Sequence, residues 1–176
     1  FVSFDRSVEN LFADDDPLLV PYRHLKRTFG GNEVVMAVYV DPDLMAQDRS
    51  GIRRLAKLAA ACQDVPGVRG VLSLDLPLGE DIVDQDNMVA ARTRTAFENY
   101  THGADGQTVA IVVMLKSADD ASVPREQTIE QLRSIVENLP DGLADGFVTG
   151  EPAMVSDGFR YIEDDGRRLG IWSTFL

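Results

Sequence analysis

One structural pattern occurs twice in this chain, and that repeat constrains the fold more than any other feature. An apolar run, Glu33-Val34-Val35-Met36-Ala37-Val38-Tyr39-Val40, is followed by a helical pattern, then Val65-Pro66-Gly67 and a second apolar run. The order returns with Thr108-Val109-Ala110-Ile111-Val112-Val113-Met114-Leu115, a helical pattern, Leu139-Pro140-Asp141 and a last run. The strand starts lie 75 residues apart (33 to 108) and the prolines 74 (66 to 140). That near-constant offset predicts two β-α-β units. Parallel strands joined through a helix cross over right-handedly. Two such units pack most simply as one four-stranded sheet with both helices on one face, an α+β ferredoxin-like arrangement; two small β-α-β lobes are the alternative.

The helical stripes locate the layers. Ile52, Leu55, Leu58, Ala59 and Cys62 share one face of the first helix, which stops at Pro66. Ile129, Leu132, Ile135, Val136 and Leu139 do so in the second, which starts near Pro124. These faces are expected over Val35, Val38, Ile111 and Val113 in adjacent strands. Val68 to Leu76 reads as the strand closing the first unit, and Phe147-Val148-Thr149 as the one closing the second. Ile82 to Tyr100 reads as a helix packing through Met88, Ala91 and Phe97. Upstream, Asp14-Asp15-Asp16-Pro17 has the composition of a helix start, Leu18, Tyr22, Leu25 and Phe29 recur at helical spacing, and Gly30-Gly31 ends the element. The chain is read as a single domain over 1–176: β-α-β at 33–76, an insertion at 77–104, β-α-β at 108–149, and a helix at 151–176.

Charge narrows the partners. With 17 Lys+Arg against 29 Asp+Glu, the net charge of −12 repels a phosphate backbone and an anionic membrane surface. Cys62, the one cysteine, falls on an apolar helical face and reads as a small buried thiol. His24 and His102 stand far apart without ligand spacing, so no metal or other cofactor is expected. No Gly-x-Ser-x-Gly, Walker loop or Gly-x-Gly-x-x-Gly is present, and no catalytic residue is nominated. Asp41, Asp43, Asp75, Glu80, Asp81, Asp84 and Asp86 fall mostly at strand ends or loops, where solvation and turn formation are the ordinary roles. Of the five methionines, Met36 and Met114 lie in strands and read as core, while Met45, Met88 and Met154 are less committed. Asn99-Tyr100-Thr101 matches a glycosylation sequon, a pattern common by chance.

Two family resemblances follow. Pro66-Gly67-Val68-Arg69-Gly70-Val71 resembles the anion-binding loop of acylphosphatases, but it comes after the helix, where its N–H groups are not aimed as that site needs. The wider one has four segments in order: Asp15-Asp16-Pro17 through Tyr22 to Phe29-Gly30; Val65-Pro66-Gly67-Val68; Asp105-Gly106-Gln107-Thr108-Val109-Ala110-Ile111; and Thr149-Gly150-Glu151-Pro152 followed by Asp164 or Asp165 and Arg168-Leu169. Together they resemble the first large extracytoplasmic loop of resistance-nodulation-division (RND) exporters, particularly the MMPL-like branch.

That resemblance implies a periplasmic porter domain in a proton-driven exporter of the bacterial inner membrane, guiding hydrophobic or lipid-like substrate outward, and no enzyme. Its implied partners are the transmembrane helices, the second periplasmic loop, such a substrate and possible further copies of the protein, with no nucleic acid. The family's proton-coupling residues lie in transmembrane helices, so none is carried over, and the substrate-binding residues are unknown. The run Leu169 to Leu176 is far short of the ~20 residues that span a bilayer and is expected to begin the second transmembrane helix. The alternative is a free-standing small-molecule-binding regulatory domain of the same doubled fold.

Overall fold

The structure, a computed structural model, describes residues 33–117, 120–140, 142–158 and 160–161, together with Pro17 and Pro21. The helix expected between Asp14 and Phe29, His24, the Asp164, Asp165 and Arg168-Leu169 positions of the fourth segment and the end at 170–176 lie outside the described residues.

The Val-rich run Val34–Val40 forms β1, a stretch of side chains suited to a pleated surface. A turn at 42–49 leads to α1, Ser50–Gln63, which places Ile52, Leu55, Ala59 and Cys62 inward. The chain returns as β2, Val68–Leu72. A 3-10 turn, Gly79–Val83, and α2, Met88–Phe97, follow before β3, Thr108–Leu115. The second unit continues with α3, Arg125–Glu137, and β4, Ala144–Thr149. Beyond Gly150 the chain is helical again at 151–158 and 160–161.

The strands form one sheet in the order β2-β3-β1-β4 with every neighbouring pair antiparallel. This is the ferredoxin-like topology, and it excludes the two-lobed alternative. The core holds Val35, Ala37 and Tyr39 from β1 and Val109, Ile111, Val113 and Leu115 from β3, covered by the inward residues of α1 and by Ile129, Leu132 and Val136 of α3. Leu58, Ile135 and Leu139 pack partly buried against it.

Four expectations are corrected. Val38 is not in this core: β1 buries its odd-numbered positions, and Val38 falls on the opposite face. β2 stops at Leu72, because Ser73 turns the chain, accepting from the Leu76 N–H and donating its hydroxyl to Asp75. The single helix expected over 82–100 is two shorter pieces, since Asp84 accepts from the Asp86 N–H and Asn87 caps α2 through the N–H groups of Val89 and Ala90. In α2 it is Ala90 that is buried, whereas Met88 is 68% exposed.

The insertion is tied to the body at both ends. Arg49 and Arg53 before and within α1 pair with Asp81 and Glu80 of the 3-10 turn, and Arg94 of α2 donates to the carbonyls of Ile82 and Asp84. Its return, at 101–103, runs beside the start of β3, with Ala110 N–H donating to the Thr101 carbonyl at 3.0 Å. Asp105 closes the intervening turn, accepting from Gln107 N–H, Thr108 N–H and the Thr108 hydroxyl; these bonds hold its carboxyl well below the usual carboxylate range.

Candidate functional site

With both unit helices on one side, no described element covers the other face of the sheet, which is apolar across all four strands. The strand registers fix its layout. One row runs Leu72, Val112, Met36 and Thr149; the next toward the end of β3 holds Gly70, Met114 and Val34; the next toward its start holds Ala110, Val38 and Phe147. Phe147 is 58% exposed, Val34 43%, Met114 40% and Met36 36%. None of these positions carries a charge, on a chain with a net charge of −12. Gly70 is a notch that the Met114 methyl fills, since a Cβ there would sit 2.9 Å from Met114 Cε.

Four strands spaced as in any sheet, over about five residues each, give this face an area of roughly 300 Å². A stable protein–protein interface takes roughly 800 Å² from each partner. The patch is therefore small for a permanent protein interface and within the size of functional apolar patches on single domains. Met36 and Met114, expected in the core, are on this open face. Their unbranched, polarisable side chains adapt to ligands of variable shape. Met45 packs partly buried against the core, and Met154 is exposed.

The groups that could carry chemistry are elsewhere and already engaged. Asp41, read from sequence as a strand-end carboxylate, is fully buried: Arg54 of α1 grips it through Nε to Oδ2 at 3.0 Å and Nη2 to Oδ1 at 2.6 Å, and Asp43 N–H donates to Oδ1 at 2.9 Å. The carboxylate in turn raises the Arg54 guanidinium pKa. Burial pushes the Cys62 thiol up to about 11, which keeps it protonated and a poor nucleophile at neutral pH. Burial first, then nearby Asp41, pushes the Tyr39 phenol far above its ordinary value. His102 is buried beside Thr101, and desolvation lowers its pKa. Among the described residues no three His, Cys, Asp or Glu side chains stand together as a metal site.

A cleft of about 110 Å³ lies where β2 begins and α3 starts, lined by Gly67, Lys116, Pro124, Arg125 and Thr128 among others. It has room for only a few waters. Several of its polar groups are engaged locally: Thr128 Oγ1 donates to the Pro66 carbonyl at 2.8 Å, Lys116 N–H to the Gly67 carbonyl at 2.8 Å, and Arg125 pairs with Glu33 at 3.2 Å. The segment that resembles the acylphosphatase loop runs from this cleft into β2, joining α1 to that strand.

The Tyr39 hydroxyl is buried with no hydrogen-bond partner among the described residues. Leaving a buried hydroxyl unmatched costs about 1–3 kcal/mol. Tyr39→Phe removes the oxygen and keeps the ring, so stability is expected to hold or to rise by about 1 kcal/mol. Urea denaturation checks this, and a loss above about 1 kcal/mol would reveal a partner for that oxygen.

No helix among the described residues is long and apolar enough to cross a membrane. No family model matches the sequence, and no curated protein matches it.

Proposed function

We propose that this chain is the extracytoplasmic porter domain of a proton-driven RND-type exporter of the bacterial inner membrane, with no catalytic role of its own, and that its open sheet face guides hydrophobic or lipid-like substrate on the periplasmic side. The observation that carries the reading is the uncharged apolar face on a strongly acidic domain. A small, adaptable, methionine-bearing surface suits transient contact with greasy molecules better than permanent protein docking. The ordered motifs that resemble the MMPL-like porter loop support the same reading, and a ferredoxin-like unit is compatible with it. The remaining transmembrane helices and the second periplasmic loop are the partners this function requires.

Titration of the chain with a fluorescent fatty acid tests the face directly. Binding is expected, with an affinity at least tenfold weaker in Met36→Glu and Phe147→Glu, since a charge placed there must be desolvated by the ligand. Unaltered binding in both variants, or no binding at all, would remove the face from the proposal. The exporter assignment is tested separately by the encoded sequence flanking residues 1 and 176. Apolar stretches of ~20 residues are expected on both sides, and their absence would favour a free-standing small-molecule-binding regulatory domain.

A further inference from the structure

We propose that Arg133 and Asp157 form the centre of an ionic latch that holds the helical segment starting at residue 151 against α3, so that the two move together while it is closed. The segment is pinned at its root. At Gly150, φ is 121°, and a Cβ there would meet the Val34 carbonyl oxygen at 2.7 Å and Val35 Cα at 3.0 Å, so the chain turns against β1 itself. Pro152 and Ala153 are buried in the first turn, Ala153 as part of the core. Beyond that turn Val155 is half-buried, whereas Met154 is 64% exposed and Tyr161 66%.

What joins the later turns to α3, among the described residues, is a closed ring of charges. Arg133 Nη2 donates to both carboxylate oxygens of Asp157 at 2.8 Å. Arg133 Nη1 donates to Glu130 at 2.9 Å, Arg160 Nη1 to the same Glu130 oxygen at 3.2 Å, and Arg160 Nη2 to Asp157 at 3.1 Å. Each guanidinium thus lies between two carboxylates, and each carboxylate between two guanidiniums. The ring is graded in exposure. The Arg133 side chain is 12% exposed and Asp157 34%, whereas Arg160 and Glu130 are 52% and 56%. The inner pair is therefore strong and weakly screened, and the outer pair is weak and salt-sensitive.

This arrangement defines one opening motion. The root stays seated on the core through Pro152 and Ala153, while residues 155–158 and 160–161 lift from α3 when the ring breaks. Among the described residues only Ala153 of this segment belongs to the core and it stays seated, so opening and global unfolding are separable events. The latch stands on this geometry alone, whether or not the chain serves export.

Hydrogen exchange of the whole chain, followed by mass spectrometry of peptides, tests it. In Asp157→Asn and in Arg133→Gln, exchange over 155–161 is expected to accelerate about tenfold, with β1 and β3 unchanged, as fits the loss of a partly buried charge-assisted hydrogen bond. The double variant should exchange no faster than either single one, because both remove the same interaction. Arg160→Gln should give a smaller effect that disappears at high salt. Exchange over 155–161 within twofold of wild type in both inner variants would overturn the latch, as would acceleration spread equally over β1 and β3.

Discussion

Replacing Arg54 with leucine is expected to destabilise the domain by about 3–5 kcal/mol, because it strands a buried carboxylate. Asp41 has no exposed surface, and two of the hydrogen bonds to its side chain come from this one guanidinium. After the substitution the Asp43 N–H still donates to it, but a backbone dipole does not replace a cation. Arg54 itself is 28% exposed, which places the loss toward the lower end of that range. The pair is costly to break and contributes far less as an intact pair, since both ions were desolvated to make it. Arg54→Leu combined with Asp41→Asn is therefore expected to recover more than half of the lost stability, with the asparagine oxygen still accepting from Asp43 N–H. Urea denaturation of the two single variants and the double measures this. A loss below about 1 kcal/mol in Arg54→Leu would mean that water reaches Asp41 and that the pair behaves as a surface one.

Asp41 also marks where reading the sequence stops short. Counting by twos from Val35 passes through Ala37 and Tyr39 and arrives at Asp41, so strand alternation already pointed that carboxylate inward. Only the three-dimensional return of α1, thirteen residues on, supplies the cation that makes an inward carboxylate tolerable. The repeat itself was legible as two β-α-β units, and β3 spans the run seen in the sequence; that the units share one sheet instead of forming two lobes is decided by the strand pairing β2-β3-β1-β4. The faces were not legible. In β1 and β3 apolar residues occupy both sides of the strand, as in a strand buried on both faces, so Val38 read as core although it faces outward. Met36 and Met114 were assigned to the core for the same reason. The missing information was the phase of each strand. Both unit helices were expected on one side of the sheet, but apolar residues at odd and even positions alike leave open which set points toward them. Only the structure shows that β1 buries the odd ones. The insertion escaped for a local reason. Asp84-Gln85-Asp86-Asn87 breaks the helix through side chain–backbone bonds that hydrophobic spacing does not register.

Gly51→Val is the substitution expected to do most damage outside the charged pair. Gly51 is the second residue of α1, and no sequence pattern singled it out, because a glycine in a first helical turn usually reads as a weak helix former. The packing gives it a different role. A Cβ at this position would lie 2.2 Å from the Asp43 carbonyl oxygen and 2.5 Å from Leu44 Cα, both backbone atoms of the turn that follows β1. Flexible side chains can move aside from such a contact, but here the turn itself must shift. That turn carries Leu44, which is fully buried, and Asp43, whose N–H binds Asp41. Displacing it therefore strains the core and the Asp41–Arg54 pair together. The expected loss exceeds the roughly 1–3 kcal/mol usual for overpacking, with Gly51→Ala smaller but in the same direction. Helix propensity predicts the opposite for Gly51→Ala, a gain of up to about 1 kcal/mol. The sign of that one change decides between the two effects. Gly158 supplies the internal control: it is helical, and a Cβ there meets no heavy atom within 4 Å. Gly158→Ala is accordingly expected to be neutral or to stabilise by about 0.5–1 kcal/mol. Parallel denaturant titrations of the two alanine variants should move their midpoints in opposite directions. A stabilised Gly51→Ala would show that the close approach of α1 to the Asp43–Leu44 turn is not a constraint on the fold.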